Sequence, residues 1–454
     1  MLPLENLSAD PSQEYFSDGL TDALITELGQ IRALRVISRT SAMTFKKVRK
    51  PLPEIARELN VDAVIEGTIL RSGNQVRITA QLIQASDDKH LWAQSYDSDL
   101  GDALATQKQV ARSIANQIRI ELTQRELAVL AESRHVNPQA QEAYLKGRYF
   151  WNKRTADGLQ KSLDYFQQAI HSDPAFAPAY GGVADSYALL AVSEYGVLAP
   201  NEAHPKAKAA AIKALELDNT LGEAHISLAF ALDGFDWDFQ AGDREFRRGL
   251  ELSPGYATGH QWYAGHLMLL GKDDEAIAEM KKAESLDPLS LIISADLAEA
   301  FLVAHRYEEA IKQTRKTMDM DPDFPMAHYQ LGIAVLQKGE YTEAIEELRK
   351  AVHLSGGNAA CTSSLAYAFA VSGRRKDAEA ILEDLKRRSN SGGSIAPDIA
   401  LVYVGLDRSD QAMAWLETAY QARFNPGALR RPLFDRLRSD PRFKDLQNRI
   451  GLYR

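Results

Sequence analysis

Near the start of the chain, five residues are of types that could hold a small anion. Asp18 and Gly19 lie beside a helix start, and Arg39, Thr40 and Ser41 close an extended run. Ligands collect at strand and helix ends in open α/β sheets, and a guanidinium with two hydroxyls suits an anion. Capping and turn hydrogen bonds would employ the same groups with no ligand, and both readings stand at this point. Elsewhere the chemistry thins out. Asp233, Asp236 and Asp238 crowd around Trp237. They lack the glycine and terminal glutamate of a calcium loop, so they read as turn formers. The histidines are scattered. His260 and His266 are 266 − 260 = 6 apart, not the four that would place a metal pair on one helix face. Gly271-Lys272 stands alone inside a turn, and none of the nucleotide-binding, zinc-protease or hydrolase signatures occurs. No carboxylate stands isolated in an apolar run, the usual mark of a tuned acid. The chain reads as non-enzymatic, with no cofactor and no metal.

Composition bounds the alternatives. The 454 residues exceed one ordinary domain. With 45% apolar and 25% charged residues the balance is globular. A net charge of −9 sets up no field that draws in nucleic acid. Lys46-Lys47-Val48-Arg49-Lys50 and Lys386-Arg387-Arg388 read as solvated faces before they read as phosphate patches. Cys361, the single cysteine, cannot form an internal disulfide and reads as small buried filler. Met1 to Glu5 has no leader character, and no apolar run spans a bilayer. As given, the chain is expected in the cytoplasm.

These residues need elements to position them. In the first part, residues 1–134, Leu2 to Leu4 reads as the tail of a strand. A helix follows with Leu20, Leu24, Ile25 and Leu28 on one stripe, then a strand over Leu34–Ser38 and a helix over Pro53–Leu59. Alternation over Ala63–Leu70 and Val76–Leu82 around Ser72-Gly73-Asn74 predicts a hairpin with one wet face. Leu91–Tyr96 adds an edge strand, and a helix through Val110, Ile114 and Ile118 runs on towards Leu130. The order implies a small mixed α/β sheet carrying helices.

The rest keeps time. Ala276, Ala310, Ala344, Ala378 and Ala412 recur at 310 − 276 = 34, and Ala264, Ala298, Gly332, Ala366 and Ala400 recur in the same phase. This period resembles the tetratricopeptide repeat, a helix–turn–helix unit. Small residues recur because closely crossing helices admit nothing larger. The stride predicts an all-α solenoid of about eight repeats over residues 137–423, a right-handed superhelix. The third repeat holds about one extra residue near Trp237. Residues 424–454 are expected to cap the open end. Counting turns from the ladder sets Gln261, Glu299, Tyr329, Ile333, Gln337 and Tyr367 near the concave groove, where they would meet a partner peptide. Tyr367 and Ile333 read equally well as core between repeats.

Glu14–Thr21, Leu34–Ser41, Ala56–Asp62 and Leu91–Asp97, in that order, resemble the TolB amino-terminal (FlgO-like) domain. Members of that family carry it between an upstream effector and a downstream repeat array. The effector is commonly a winged-helix DNA-binding domain, a nucleotide cyclase or a Ser/Thr kinase, often followed by a membrane span. The resemblance therefore implies the regulatory half of a larger signalling protein, with its first strand clipped. An upstream span would place this half outside the membrane. The partner expected is a protein or peptide in the groove, or a second copy of the chain; no nucleic acid and no membrane span are expected of this chain.

Overall fold

The computed structural model describes all residues except 9, 119–121, 125, 128–135, 193–197, 390–394 and 453–454. A small mixed sheet is followed by a long run of helical hairpins. In the sheet, β1 (Glu5–Asn6) pairs parallel with β2 (Ala63–Ser72), which pairs antiparallel with β3 (Gln75–Gln84), which pairs antiparallel with β4 (Lys89–Asp99). The hairpin and the edge strand lie where alternation places them, with Ile65, Ile69, Ile78 and Leu82 facing inward and Arg77 in solvent. Helix α1 (Glu14–Gly29) lays Phe16, Leu20, Leu24 and Leu28 on that face, and α4 (Ala103–Gln117) adds Val110 and Ile114. The expected continuation of α4 to Leu130 lies partly outside the described residues.

One expectation fails here. Leu34–Ser38 forms no strand. Its Ile37 is buried with Phe45, Ile55 and Val64, but its last N–H, on Ser38, bonds the Leu286 carbonyl oxygen at 2.7 Å instead of a strand. Ile37 is buried and Val36 half-buried, as β-branched residues suggest, but the hydrogen-bonding partner came from a distant part of the chain. Helices α2 (Arg39–Met43) and α3 (Leu52–Leu59) follow it.

From Pro138–Trp151 with Ala156–Ser172 to Ala396–Gly405 with Ser409–Gln421, eight helical hairpins follow in order. We number them repeats 1 to 8. Every alanine of both ladders is fully buried. A Cβ on Gly332 would stand 2.7 Å from the Leu348 side chain, so this crossing is closed to anything larger. The extra residue of repeat 3 appears as a π-helical turn over Leu232–Asp236 that ends on Trp237 at φ 57°, the usual way a helix absorbs an insertion.

A further ladder runs through the turns inside repeats. Trp237, Gly271, His305, Gly339, Gly373 and Asp407 all have positive φ, and each is 34 residues from the next, as 271 − 237 = 34. Glycine suits that conformation, whereas other residues adopt it at a cost of roughly 1 kcal/mol. Repeats 3, 5 and 8 nevertheless carry Trp, His and Asp there.

Histidines pin repeats 3, 4 and 6. The Nδ1 atoms of His225, His260 and His328 face Glu245, Glu279 and Glu347 at 2.5, 2.5 and 2.6 Å. Their Nε2 atoms face the carbonyl oxygens of Asn219, Pro254 and Pro322 at 3.1, 2.9 and 2.8 Å. Each ring thus ties a first helix to its second helix and to the preceding turn.

Candidate interaction site

The sheet unit docks against the array at three places. At repeat 1, Arg148 is buried among three carboxylates: Asp22 of α1 at 2.9 Å, Asp185 at 3.4 Å and Glu223 at 3.6 Å. The last two come from the first helices of repeats 2 and 3. Burial pushes the Asp22 carboxyl up, but the Arg148 and Arg39 charges outweigh it and hold the group below its ordinary value. Burial carries Glu223 up to about 7 against the pull of Arg148. At the turn between repeats 3 and 4, the Gly255 N–H donates to the Gly29 carbonyl at 2.9 Å. A Cβ on Gly255 would sit 2.7 Å from that oxygen, so only glycine allows the approach.

The third place is the turn between repeats 4 and 5, and it involves the residues proposed above for an anion. The Ser41 N–H and hydroxyl both donate to the Asp287 carboxylate, at 2.9 and 2.5 Å, and the Leu289 N–H donates to the Ser41 hydroxyl at 2.8 Å. Burial raises the Asp287 carboxyl, while hydrogen bonds from Ser41, Thr40 and Ser38 oppose the shift. The other three candidates lie apart from that carboxylate. Asp18 pairs with Lys46 and stands 3.9 Å from Arg39. Gly19 lies under Leu145, whose side chain a Cβ would meet at 2.9 Å.

A second piece of the chain lies against the array. Residues Asn425–Arg438, built from 3-10 turns over Pro426–Arg430 and Pro432–Leu437, meet repeat 4 first and then repeats 5 and 8. Arg430 bonds Asp273 at 2.8 Å beside Gly271, and Arg431 stands 3.7 Å from Asp398. Asp435 stands 3.6 Å from His305, and Arg436 bonds Asp407 at 2.7 Å. Leu429, Leu433, Phe434 and Leu437 are each 1% exposed or less. Just before the segment, Tyr420 and Phe424 pack on Trp237 with ring centroids 5.3 and 6.4 Å away.

The expected cap is therefore split. Helix Pro441–Ile450 packs on the last hairpin, with Arg449 and Arg442 bonding Glu417 and Asp410. The residues before it lie against repeats 4, 5 and 8 instead of over the end of the stack.

The six groove positions counted from the ladder fall into two groups. Tyr329, Ile333 and Tyr367 are buried at 5, 3 and 6% exposure. Burial pushes the Tyr329 hydroxyl up to about 12, with the nearby Arg431 charge opposing. Gln261, Glu299 and Gln337 are half-buried, and Gln261 bonds Asp296 at 2.6 Å. Counting turns did not pick out Asp273, Asp398 or Asp407, which meet the segment's arginines. The non-glycine members of the left-handed ladder were the signal that could have found Asp407.

Among the described residues, no group of three or more His, Cys, Asp or Glu side chains is placed to hold a metal ion. No described helix is long and apolar enough to cross a membrane. Cys361 is buried and unbridged.

Comparison with known proteins bears on the array. Putative adenylate cyclase 3 of Rhizobium meliloti (strain 1021) is 32% identical over 236 residues, 51% of this chain and 39% of the relative. Transcriptional regulator HilA of Salmonella typhimurium is 29% identical over 145 residues, 32% of this chain and 26% of the relative. The chain thus spans well under half the length of these curated relatives. Among solved structures, PilF of Pseudomonas aeruginosa is 22% identical and covers 48% of this chain and 96% of its own, with a TM-score of 0.36. YrrB, a tetratricopeptide protein with an unusual peptide-binding site, is 20% identical and covers 43% and 95%, with a TM-score of 0.31. Two tetratricopeptide-repeat family models match residues 295–359 and 335–391. That stretch is tetratricopeptide repeat, and the small-residue ladders of repeats 4 to 8 keep its stride.

Proposed function

We propose that this chain is a non-catalytic docking module that holds a polypeptide segment of a partner in the groove lined by the first helices. The observation that carries the reading is the groove itself. It is built from tetratricopeptide hairpins, and it accommodates an irregular stretch of chain through both charged and apolar contacts. Stacked repeats create such concave binding surfaces as a by-product of their curvature. Gln261, Glu299 and Gln337 are the polar groove positions a partner would meet, with Tyr329, Ile333 and Tyr367 behind them. The test is selection of displayed random peptides on the full chain. Binders should be lost with Glu299→Lys and Gln337→Lys and kept with Lys312→Glu on the outer helices. No enrichment, or binders indifferent to both groove substitutions, refutes the reading.

A second reading places this module in the regulatory part of a larger signalling protein. What favours it is the match to a putative adenylate cyclase and to a transcriptional regulator, together with the TolB-like motifs. The sheet unit would then sense a signal and pass it to the array through Arg148 and Asp287. In-frame sequence upstream of Met1 encoding an effector supports it, and a translation start at Met1 with no such frame refutes it.

A further inference from the structure

We propose that Asn425–Arg438 is a built-in competitor for the groove. The partner it stands in for would then be a polypeptide segment of the same chemistry: paired arginines, then proline and two large apolar residues, as in Arg430-Arg431-Pro432-Leu433-Phe434. This deepens the docking reading and rests on it.

Charge complementarity comes first. Arg430, Arg431 and Arg436 each meet a different aspartate, Asp273, Asp398 and Asp407, contributed by repeats 4 and 8. Arg436–Asp407 is exposed and contributes little, while the other two pairs are part-buried, and together they fix register. Apolar anchoring comes second: Leu429, Leu433 and Phe434 are buried between those charges. A buried anchor cluster inside a charged rim is the layout of a recognition surface.

The third observation is independent. Left-handed turn positions suit glycine, yet repeats 3, 5 and 8 place Trp237, His305 and Asp407 there. All three touch this part of the chain: Trp237 meets Tyr420 and Phe424, His305 meets Asp435, and Asp407 meets Arg436. Backbone strain kept where a segment is gripped points to function at that spot. A tethered segment acts at an effective concentration in the millimolar range, so a free partner competes poorly until the tethered copy is weakened.

The experiment uses the full chain and a fluorescent peptide with the sequence of residues 425–440. Arg430→Glu with Arg431→Glu repels the tethered segment while leaving the surface it covers intact. This double variant should bind the peptide at least about tenfold more tightly than wild type. On wild type, millimolar peptide should speed hydrogen exchange in residues 425–438. In Asp273→Arg, a peptide with glutamate at the position of Arg430 should outbind the native peptide.

Unchanged peptide affinity in the double variant Arg430→Glu with Arg431→Glu, with wild-type circular dichroism, overturns the proposal. So does unaltered exchange in wild type at saturating peptide, which requires no variant to fold. If selected peptides of unrelated chemistry depend on Glu299 while these arms fail, the docking reading stands and the built-in competitor falls. If selection is also empty, both fall.

Discussion

Arg148→Met should be among the most damaging single changes outside the ladders. The guanidinium answers Asp22, Asp185 and Glu223 within 3.6 Å and lies over Trp151 at 4.8 Å. Methionine keeps most of the volume and stacking but removes the charge. Asp22 and Asp185, 7 and 2% exposed, would then be buried carboxylates without their cation. Breaking a buried pair in this way costs about 3–5 kcal/mol. A typical total of about 5–15 kcal/mol means that at least about a fifth of the stability would go. Arg148→Lys should restore little, because a point charge cannot span three acceptors as a planar fork does. Adding Asp22→Asn to Arg148→Met should return part of the loss, since one of the two stranded carboxylates is then gone. Urea denaturation followed by circular dichroism, at pH 7 and fixed salt, gives the four free energies of the cycle. A single-mutant cost below about 1 kcal/mol, or no recovery in the double mutant, refutes the view that this arginine clamps the sheet unit to three repeats.

Other outcomes follow from the same geometry. Gly182→Ala should cost about 1–3 kcal/mol by overpacking, because its Cβ would lie 2.5 Å from the Phe166 ring, which Gly147 crowds from another side; Phe166→Leu should soften that cost, as thermal melts of the pair would show. Burial pushes the Glu27 carboxyl up to about 7, with Lys108 opposing. The folded state therefore keeps a proton that the unfolded chain gives up near pH 4.5. The stability this adds is complete below that pH and lost as pH rises through about 7, so urea midpoints should fall from pH 5 to pH 7.5 and Glu27→Gln should flatten the fall. Asp287→Ala should cost about 1–3 kcal/mol by stranding the Ser41 N–H, and limited proteolysis between Leu34 and Lys50 should accelerate.

What the chain reveals by itself follows the range of the forces involved. The alanine ladders record contacts between neighbouring helices, so a constant stride in sequence is a constant stride in space. The hairpin of β2 and β3 is equally local, and the surplus residue before Trp237 shows up as a π turn at that point. Leu34–Ser38 misled because burial and β-branching are local while its hydrogen-bond partner, Leu286, is not. Arg430-Arg431-Pro432 carries an amphipathic pattern that says only that something covers it. Its acceptors lie as far away as Asp273, and no periodicity connects them. Thr40 and Ser41 have the composition to meet an anion, and the carboxylate they face belongs to Asp287, far along the chain.

The bridge from repeat 8 back to repeats 3 to 5 changes how the molecule should come apart. A plain stack of hairpins behaves like a zipper, fraying from whichever end is weaker, because each unit depends on its immediate neighbours. Here Trp237 leans on Tyr420, and Asp273 is latched by Arg430. Repeats 3 to 8 are thereby hooped like staves of a barrel, and the last hairpin cannot fray without loosening the third and fourth. Hydrogen exchange should find these six repeats opening as one block, and a graded slope of protection along them would contradict it. On the ribosome the same loop means that these hairpins stay an open spring until Arg430 has emerged.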